Sequence, residues 1–295
     1  MPNSITNHSP RTQLGGLIRL MRPNQWIKNG FVFAPLLFSG ECLNSQACKQ
    51  ALLTFLLFCL ASASTYIIND LHDIESDRQH PQKAHSRPIA AGIVSIPMAW
   101  VLFIIIDSIL LLSWFVVPQV MLVIAGYIGL TSAYTFILKT QPVIDLFTIA
   151  IGFVLRVYAG AVALAVPISS WMFVTTLCLA LYLAAIKRRQ ELNQCGTRGR
   201  TLLKQYSASL MNHYAEMSAT GALIFYSMFV MSTKPQLVIT IPLVLFGLFR
   251  YGYIVESQGD GESPTDALLT DWPLIVTLLL WVIACGWLLP HASRA

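Results

Sequence analysis

Apolar residues run along this chain in long blocks, cut by short polar stretches rich in Lys, Arg and Asp. Ala51–Ile68, Met121–Leu138, Val143–Val166, Trp171–Ile186, Leu237–Phe249 and Leu274–Leu289 are all free or nearly free of charge. Such blocks approach the roughly 17–25 residues that a helix needs to cross about 30 Å of hydrocarbon. Backbone polar groups find no water in lipid and must bond within their own segment, so the blocks are expected to be helices. The pattern predicts nine spans, near 26–41, 51–69, 93–116, 119–138, 143–166, 170–187, 213–231, 236–253 and 272–290. The expected fold is all-α: a polytopic membrane protein with one nine-helix transmembrane domain over 22–290. It lies between an N-terminal tail, 1–21, and a C-terminal tail, 291–295. The first tail is polar, carries Arg11 and Arg19 and lacks a signal-peptide apolar core, so it reads as cytoplasmic, and an interfacial helix from Leu14 to Met21 fits it.

Composition supports this. The 295 residues are 55% hydrophobic and 11% charged, against about 25% charged for a soluble domain. If the tail is cytoplasmic, fifteen Lys and Arg fall on its side. Lys49, Lys234 and Arg294 fall on the other, and Arg156 sits inside a span. The excess of basic loops predicts an N-terminus in the cytoplasm of a cell inner (plasma) membrane, with the C-terminus outside. The net charge of +5 is then mostly topological bias and contact with anionic headgroups. Divided among short loops, the basic residues make no nucleic-acid surface. Six cysteines form no CxxC pair or Cys/His cluster, which excludes an obvious zinc or redox site. Cys42 and Cys48 share one outward loop, and whether they pair is left open. No internal repeat or second domain is evident.

One loop is unlike the rest: Asn69-Asp70-Leu71-His72-Asp73-Ile74-Glu75-Ser76-Asp77, followed by Arg78, His80-Pro81, Lys83 and Arg87-Pro88. On a helix continuing past the bilayer, Asp70, Asp73 and Asp77 would share one face. Three like charges on a stripe repel by about a few tenths of a kcal/mol per pair in water. Bound cations would remove that penalty. Carboxylate and amide oxygens without thiolates suit magnesium, commonly held by one or two carboxylates together with substrate phosphates. A merely solvated acidic helix end explains the position badly, because acids there oppose the helix dipole.

Lys187-Arg188-Arg189-Gln190-Glu191 follows the sixth span directly. Alone it reads equally as a positive-inside anchor; beside an acidic magnesium site it supplies cations and one more carboxylate for a diphosphate. Lys139 ends the fourth span, Asp145 opens the fifth, and Arg156 lies near mid-depth, facing the same way as Asp145. Ionisable groups at such depth face the protein interior or a polar cavity. Interhelical ion pairs and a polar channel both remain open, and Asp107 in the third span needs a partner. The last loop, with Arg250, Tyr251 and the polar stretch 259–266, reads as a mobile cover or a plain connector.

Nine spans, the NDxxDxxxD motif (Asn69, Asp70, Asp73, Asp77) and the adjoining basic segment resemble the UbiA-type superfamily of membrane prenyltransferases. Its usual members move a polyprenyl group from its diphosphate to an aromatic acceptor or haem. They carry a second acidic motif of DxxxD type after the sixth helix. Here Lys187-Arg188-x-x-Glu191 stands in that place. Together with Arg22-Pro-Asn-Gln-Trp26-Ile-Lys28-Asn29, His80-Pro81, Arg87-Pro-Ile-Ala-Ala-Gly92 and Gly152-Phe-Val-Leu-Arg156-x-x-Ala-Gly160, it is similar to the decaprenyl-phosphate phosphoribosyltransferase branch. The resemblance implies transfer of 5-phosphoribose from phosphoribosyl diphosphate to a polyprenyl phosphate, releasing diphosphate, toward lipid-linked arabinose for the cell envelope.

A more basic site suits that substrate set, which brings three phosphorylated groups. The expected Mg2+ ligands are Asn69, Asp73, Asp77 and Glu191, with Asp70 bound directly or one step behind. Asp73, Asp77 and Lys187 carry catalysis. Lys83, Arg87 and Lys187 meet the diphosphate oxygens, Arg188 and Tyr251 the 5-phosphate, and Lys28 the lipid phosphate. Asn29, Lys139 and Arg156 complete the substrate-binding set. The acceptor is already an anion, so no general base is expected. An ordinary polyprenyltransferase with an aromatic acceptor is the main alternative. A cation-coupled transporter is a distant one, since transporter sites lie at the midplane within broken helices. The oligomeric state stays open, a homo-oligomer included.

Overall fold

The computed structural model describes residues 10–79, 83–195, 201–257 and 270–292, and all regular structure among them is helical. The helices are α1 (Pro10–Leu20), α2 (Ala34–Ser39), α3 (Ser45–His72), α4 (Ile74–Gln79), α5 (Lys83–Ser86), α6 (Ile96–Ser113), α7 (Pro118–Phe136) and α8 (Ile144–Leu164). They continue as α9 (Ser170–Cys195), α10 (Ala208–Thr233), α11 (Ile241–Ser257) and α12 (Trp272–Ala292), with short 3-10 turns between. Local chemistry starts several of them. The Asn44 side chain accepts from the Gln46 and Ala47 amides ahead of α3, Ser95 caps α6 through Met98, and Ser207 caps α10 through Leu210. Pro118 opens α7, where its missing N–H costs nothing.

Seven segments among the described residues are long and apolar enough to cross a membrane: Ser45–His72, Ile96–Ser113, Pro118–Phe136, Ile144–Leu164, Ser170–Asn193, Pro235–Ser257 and Trp272–Pro290. The other two predicted spans have a different character. Residues 23–39 form a 3-10 helix, Pro23–Phe33, running into the short α2, where one α-helix was expected. Pro35 has no N–H to give to the preceding turn, and Gly40, at φ 80°, ends α2. The broken segment lies against α8 at Gly160, where any Cβ would run into the Val32 carbonyl. The other, α10, carries Asn212, His213 and Glu216, which dilute its hydropathy.

Burial sorts the helices by depth. The apolar windows of α3 and α8 are 61% buried, whereas that of α6 is only 17%. Leu111, Leu112 and Phe115 at the end of α6, like Leu279 and Ile283 on α12, stand exposed. Apolar surface of that extent belongs in lipid. The inner core joins Leu57, Phe58 and Ile67 of α3 to Ile124 and Tyr127 of α7. Cys42 and Cys48 are free thiols, Cys48 donating to the Cys42 carbonyl at 3.2 Å, so no disulfide closes that loop. Asp107 finds its partner in Ser64, whose hydroxyl is 3.1 Å from both carboxylate oxygens.

Candidate active site

The acidic segment begins inside α3 and ends on α4. The helix is interrupted at Asp73 (φ −95°, ψ 12°), although Asp73 N–H still reaches the Asn69 carbonyl and Asp77 N–H the Asp73 carbonyl. The expectation of one continuous acidic face is therefore corrected. The break turns Asp70 and Asp77 into the protein, 2% and 4% exposed, while a quarter of the Asp73 side chain faces solvent.

Each acid has a distinct setting. One Asp70 oxygen receives both Arg22 and, at 2.6 Å, Arg87. The other, Oδ2, is buried without a partner among the described residues. Arg22 sits in the left-handed backbone region (φ 52°, ψ 61°), unusual for a residue with a Cβ, and its guanidinium lies 4.5 Å from the centre of the Tyr66 ring. Asp73 bonds Lys139 at 3.2 Å and His72 at 2.8 Å. Burial pushes the Asp73 carboxyl up, but His72 and Lys139 outweigh it and hold it below the ordinary range. Asn69 accepts from Thr135 at 3.4 Å.

The second basic segment extends α9 beyond its apolar stretch. Arg188 is 1% exposed and ties three helices together: Nε meets Asp145 at 2.7 Å, Nη1 meets Glu191 at 2.6 Å, and Nη2 meets the Tyr134 hydroxyl at 2.8 Å. Asp145 also accepts from the Tyr206 hydroxyl at 2.6 Å, and that hydroxyl accepts from the Val143 amide at 2.6 Å. Val143 has φ 67°, a costly conformation for a β-branched residue, and it opens α8. The corner from Tyr134 to Asp145 thus bridges the two motifs, with Lys139 reaching Asp73 and with Tyr134 and Asp145 holding Arg188. Tyr251 is 3% exposed, packs 5.7 Å from Tyr182, and buries a hydroxyl with no hydrogen-bond partner among the described residues.

Asp145 and Arg156 share a helix but find separate partners. Asp145 makes an interhelical ion pair, one of the two outcomes left open. Among the described residues Arg156 is held by neutral groups: Asn29 Oδ1 at 2.7 Å, the Gly152 carbonyl at 2.6 Å and the Tyr127 hydroxyl at 3.0 Å, with the Tyr127 and Phe153 rings alongside. Asn29 is fully buried, also bonds Ser62 and Cys59, and is thereby fixed against α3 and α8. Lys28 donates to Gln25 at 2.5 Å. Glu191 and Lys187 lie at the outer end of α9, partly buried. The Lys83 side chain, His80-Pro81 and the 259–266 stretch lie outside the described residues. Sequence reasoning missed Arg22, Tyr66, Tyr134 and Tyr206 as members of the constellation. Arg22 was signalled by its place beside Pro23 ahead of the first span, whereas the tyrosines carry no local signal.

No set of three His, Cys, Asp or Glu converges on one point among the described residues. Magnesium does not require one when a diphosphate supplies the remaining ligands. The nearby donors are hard oxygens, and a buried Asp70 oxygen stands unpartnered among the described residues. The residues present therefore fit a metal that arrives with its phosphates.

Comparison with known proteins agrees with this arrangement. A family profile described as the UbiA prenyltransferase family matches residues 31–268. The decaprenyl-phosphate phosphoribosyltransferase of Mycolicibacterium smegmatis is 33% identical, over 94% of this chain and 93% of its own. The protein of the same name from Corynebacterium glutamicum is 31% identical, over 92% and 86%. Among solved structures, a UbiA homologue from Archaeoglobus fulgidus bound to GPP and Mg2+ superposes with a TM-score of 0.72 at 20% identity. It covers 93% of this chain and 99% of that one.

Proposed function

The chain belongs to the UbiA prenyltransferase family, and from that premise we propose that it transfers 5-phosphoribose from phosphoribosyl diphosphate to a polyprenyl phosphate, releasing diphosphate. The observation that carries this reading is similarity over nearly the whole length to enzymes named decaprenyl-phosphate phosphoribosyltransferase. The basic Lys187-Arg188-x-x-Glu191 segment supports it, because this substrate pair is more anionic than a prenyl diphosphate with an aromatic acceptor. The product then leads toward lipid-linked arabinose for the cell envelope. In this reading the chain crosses the inner membrane nine times with its N-terminus and its site in the cytoplasm, an orientation that the bias of Lys and Arg among the loops supports.

Asn69, Asp73, Asp77 and Glu191 would hold magnesium, with Asp70 acting from behind as the anchor of Arg22 and Arg87. A bound magnesium ion supplies positive charge for the departing diphosphate. Arg22, Lys83, Arg87, Lys139 and Lys187 grip the phosphate oxygens. The Tyr251 hydroxyl meets the 5-phosphate, and Arg188 keeps Glu191 in position from its buried ion pair. Lys28 receives the lipid phosphate. The ribosyl C1–O bond to diphosphate breaks, and a lipid phosphate oxygen bonds to C1. That oxygen is already deprotonated, so the site needs no base, and its contribution is alignment and charge.

The test supplies membranes containing the protein with labelled phosphoribosyl diphosphate and polyprenyl phosphate. A parallel arm supplies a prenyl diphosphate and 4-hydroxybenzoate. Label should enter the lipid fraction in the first arm, with diphosphate released. Turnover in the second arm alone would make the chain an ordinary prenyltransferase.

A further inference from the structure

Arg188 and Arg189 are neighbours on α9 but point about 100° apart around its axis. Arg188 turns into the site. Arg189 turns toward α10 and α11, into a cavity of about 490 Å³ between the three helices. Its lining includes none of the residues given a role in the proposed reaction, although its Tyr182 packs 5.7 Å from Tyr251.

Its wall is graded from polar to apolar. At the end of the bundle that carries the acidic segment, the mouth is formed by Arg189, Asn212, Glu216 and Glu256. Further along the same helix faces the lining becomes Ala219, Leu223, Leu245 and Leu248. Residues 212, 216, 219 and 223 recur at helical spacing on α10, as 245, 248, 252 and 256 do on α11. A polar mouth at the membrane surface above an apolar stem between helices has the form of a lipid's head and upper chain.

The charges at the mouth select the head. Arg189 Nη1 donates to Asn212 at 2.8 Å and lies 3.0 Å from Glu256 Oε2, but its Nε is buried with no partner among the described residues. That buried donor calls for an acceptor. Glu256 is 74% exposed in its side chain, and Glu216 is exposed and in no ion pair among the described residues. One arginine against two glutamates leaves a net negative mouth. A phosphate monoester or diphosphate would bring at least two negative charges into that field. A phosphodiester bearing a primary ammonium fits it, with a phosphate oxygen on Arg189 and the ammonium hydrogens on the two carboxylates.

We propose that the α9–α10–α11 cavity is a binding site for a membrane phospholipid with an ethanolamine headgroup. The cavity adjoins the proposed transferase site through the Tyr182–Tyr251 contact, and the proposal does not depend on the reaction assigned there.

Its test uses the purified full-length protein in detergent, titrated with phosphatidylethanolamine, phosphatidylcholine and phosphatidylglycerol of identical chains and with polyprenyl phosphate. Native mass spectrometry counts the bound lipid and thermal unfolding reads stabilisation. Ethanolamine lipid should be retained about tenfold more tightly than the other two phospholipids, the factor that one charge-assisted hydrogen bond carries. Combining Glu216→Gln with Glu256→Gln should abolish the preference for ethanolamine over choline while some lipid still binds. Arg189→Gln should lower retention of all three phospholipids. Equal retention of the three, a preference unchanged in the double variant, or displacement of the ethanolamine lipid by polyprenyl phosphate would each overturn the proposal.

Discussion

The hydroxyl of Tyr206 does two jobs at one point: it accepts from the amide of Val143, a β-branched residue at positive φ, and it donates to the buried Asp145 carboxylate. Removing it as Tyr206→Phe leaves a buried acceptor short of one bond and the strained corner unsupported, a loss of about 2–3 kcal/mol. The thermal midpoint of the purified variant should fall, and transferase activity should fall with it because the same corner positions Lys139 and Arg188. An unchanged midpoint would show that the corner is held by packing alone. Asp73→Asn should behave in the opposite way. Its carboxylate is partly solvated, so stability is kept, while turnover drops by at least the roughly 10–100-fold that even supporting groups of a metal ligand contribute. Normal turnover by this variant, assayed with magnesium in excess, would remove Asp73 from the ligand set.

At the scale of elements, α9 is the organising piece. Its last turns project Arg188 toward α7 and α8 and Arg189 toward α10 and α11, so one stretch of helix lies between the proposed reaction site and the cavity proposed for lipid. The 3-10 segment before α2 is the second such piece. It is pinned by Asn29 to α3 and to Arg156 of α8, and it approaches α8 so closely at Val32 that only glycine fits at position 160. Gly160→Ala places a methyl group against backbone, which cannot swing aside. Overpacking of about 1–3 kcal/mol is expected, with lower yield of folded protein on size exclusion. A variant as monodisperse and heat-resistant as the parent would show that the two segments separate freely.

For the whole molecule, the sparsely buried α6 and α12 form an apolar outer surface, while α3 and α8 are the most buried spans and hold Asp70, Asp145 and Arg156. The proposed orientation predicts which ends an impermeant thiol reagent can reach. In a cysteine-free background, Lys234→Cys should label in intact spheroplasts, and Ser257→Cys should label only after the membrane is opened. The reverse pattern would invert the orientation and take the site out of the cytoplasm.

Hydropathy alone was enough to specify an all-helical membrane chain, because a lipid-exposed backbone has no alternative to the helix and twenty apolar residues in a row have no other use. The segment Asn69–Asp77 stood out in the sequence because acids next to an apolar span are unfavourable, but the break at Asp73 and the burial of Asp70 and Asp77 did not. What the sequence could not decide was which basic group answers which acid. Arg22 and Asp70 are 48 residues apart, and Arg188 and Asp145 are 43 apart. Such pairs are chosen by how the helices pack, and local periodicity carries no information about that. The break at Asp73, the left-handed Arg22, the positive φ of Val143 and the opposite partners of Arg188 and Arg189 are likewise products of tertiary packing, which supplies the energy that local preference would refuse.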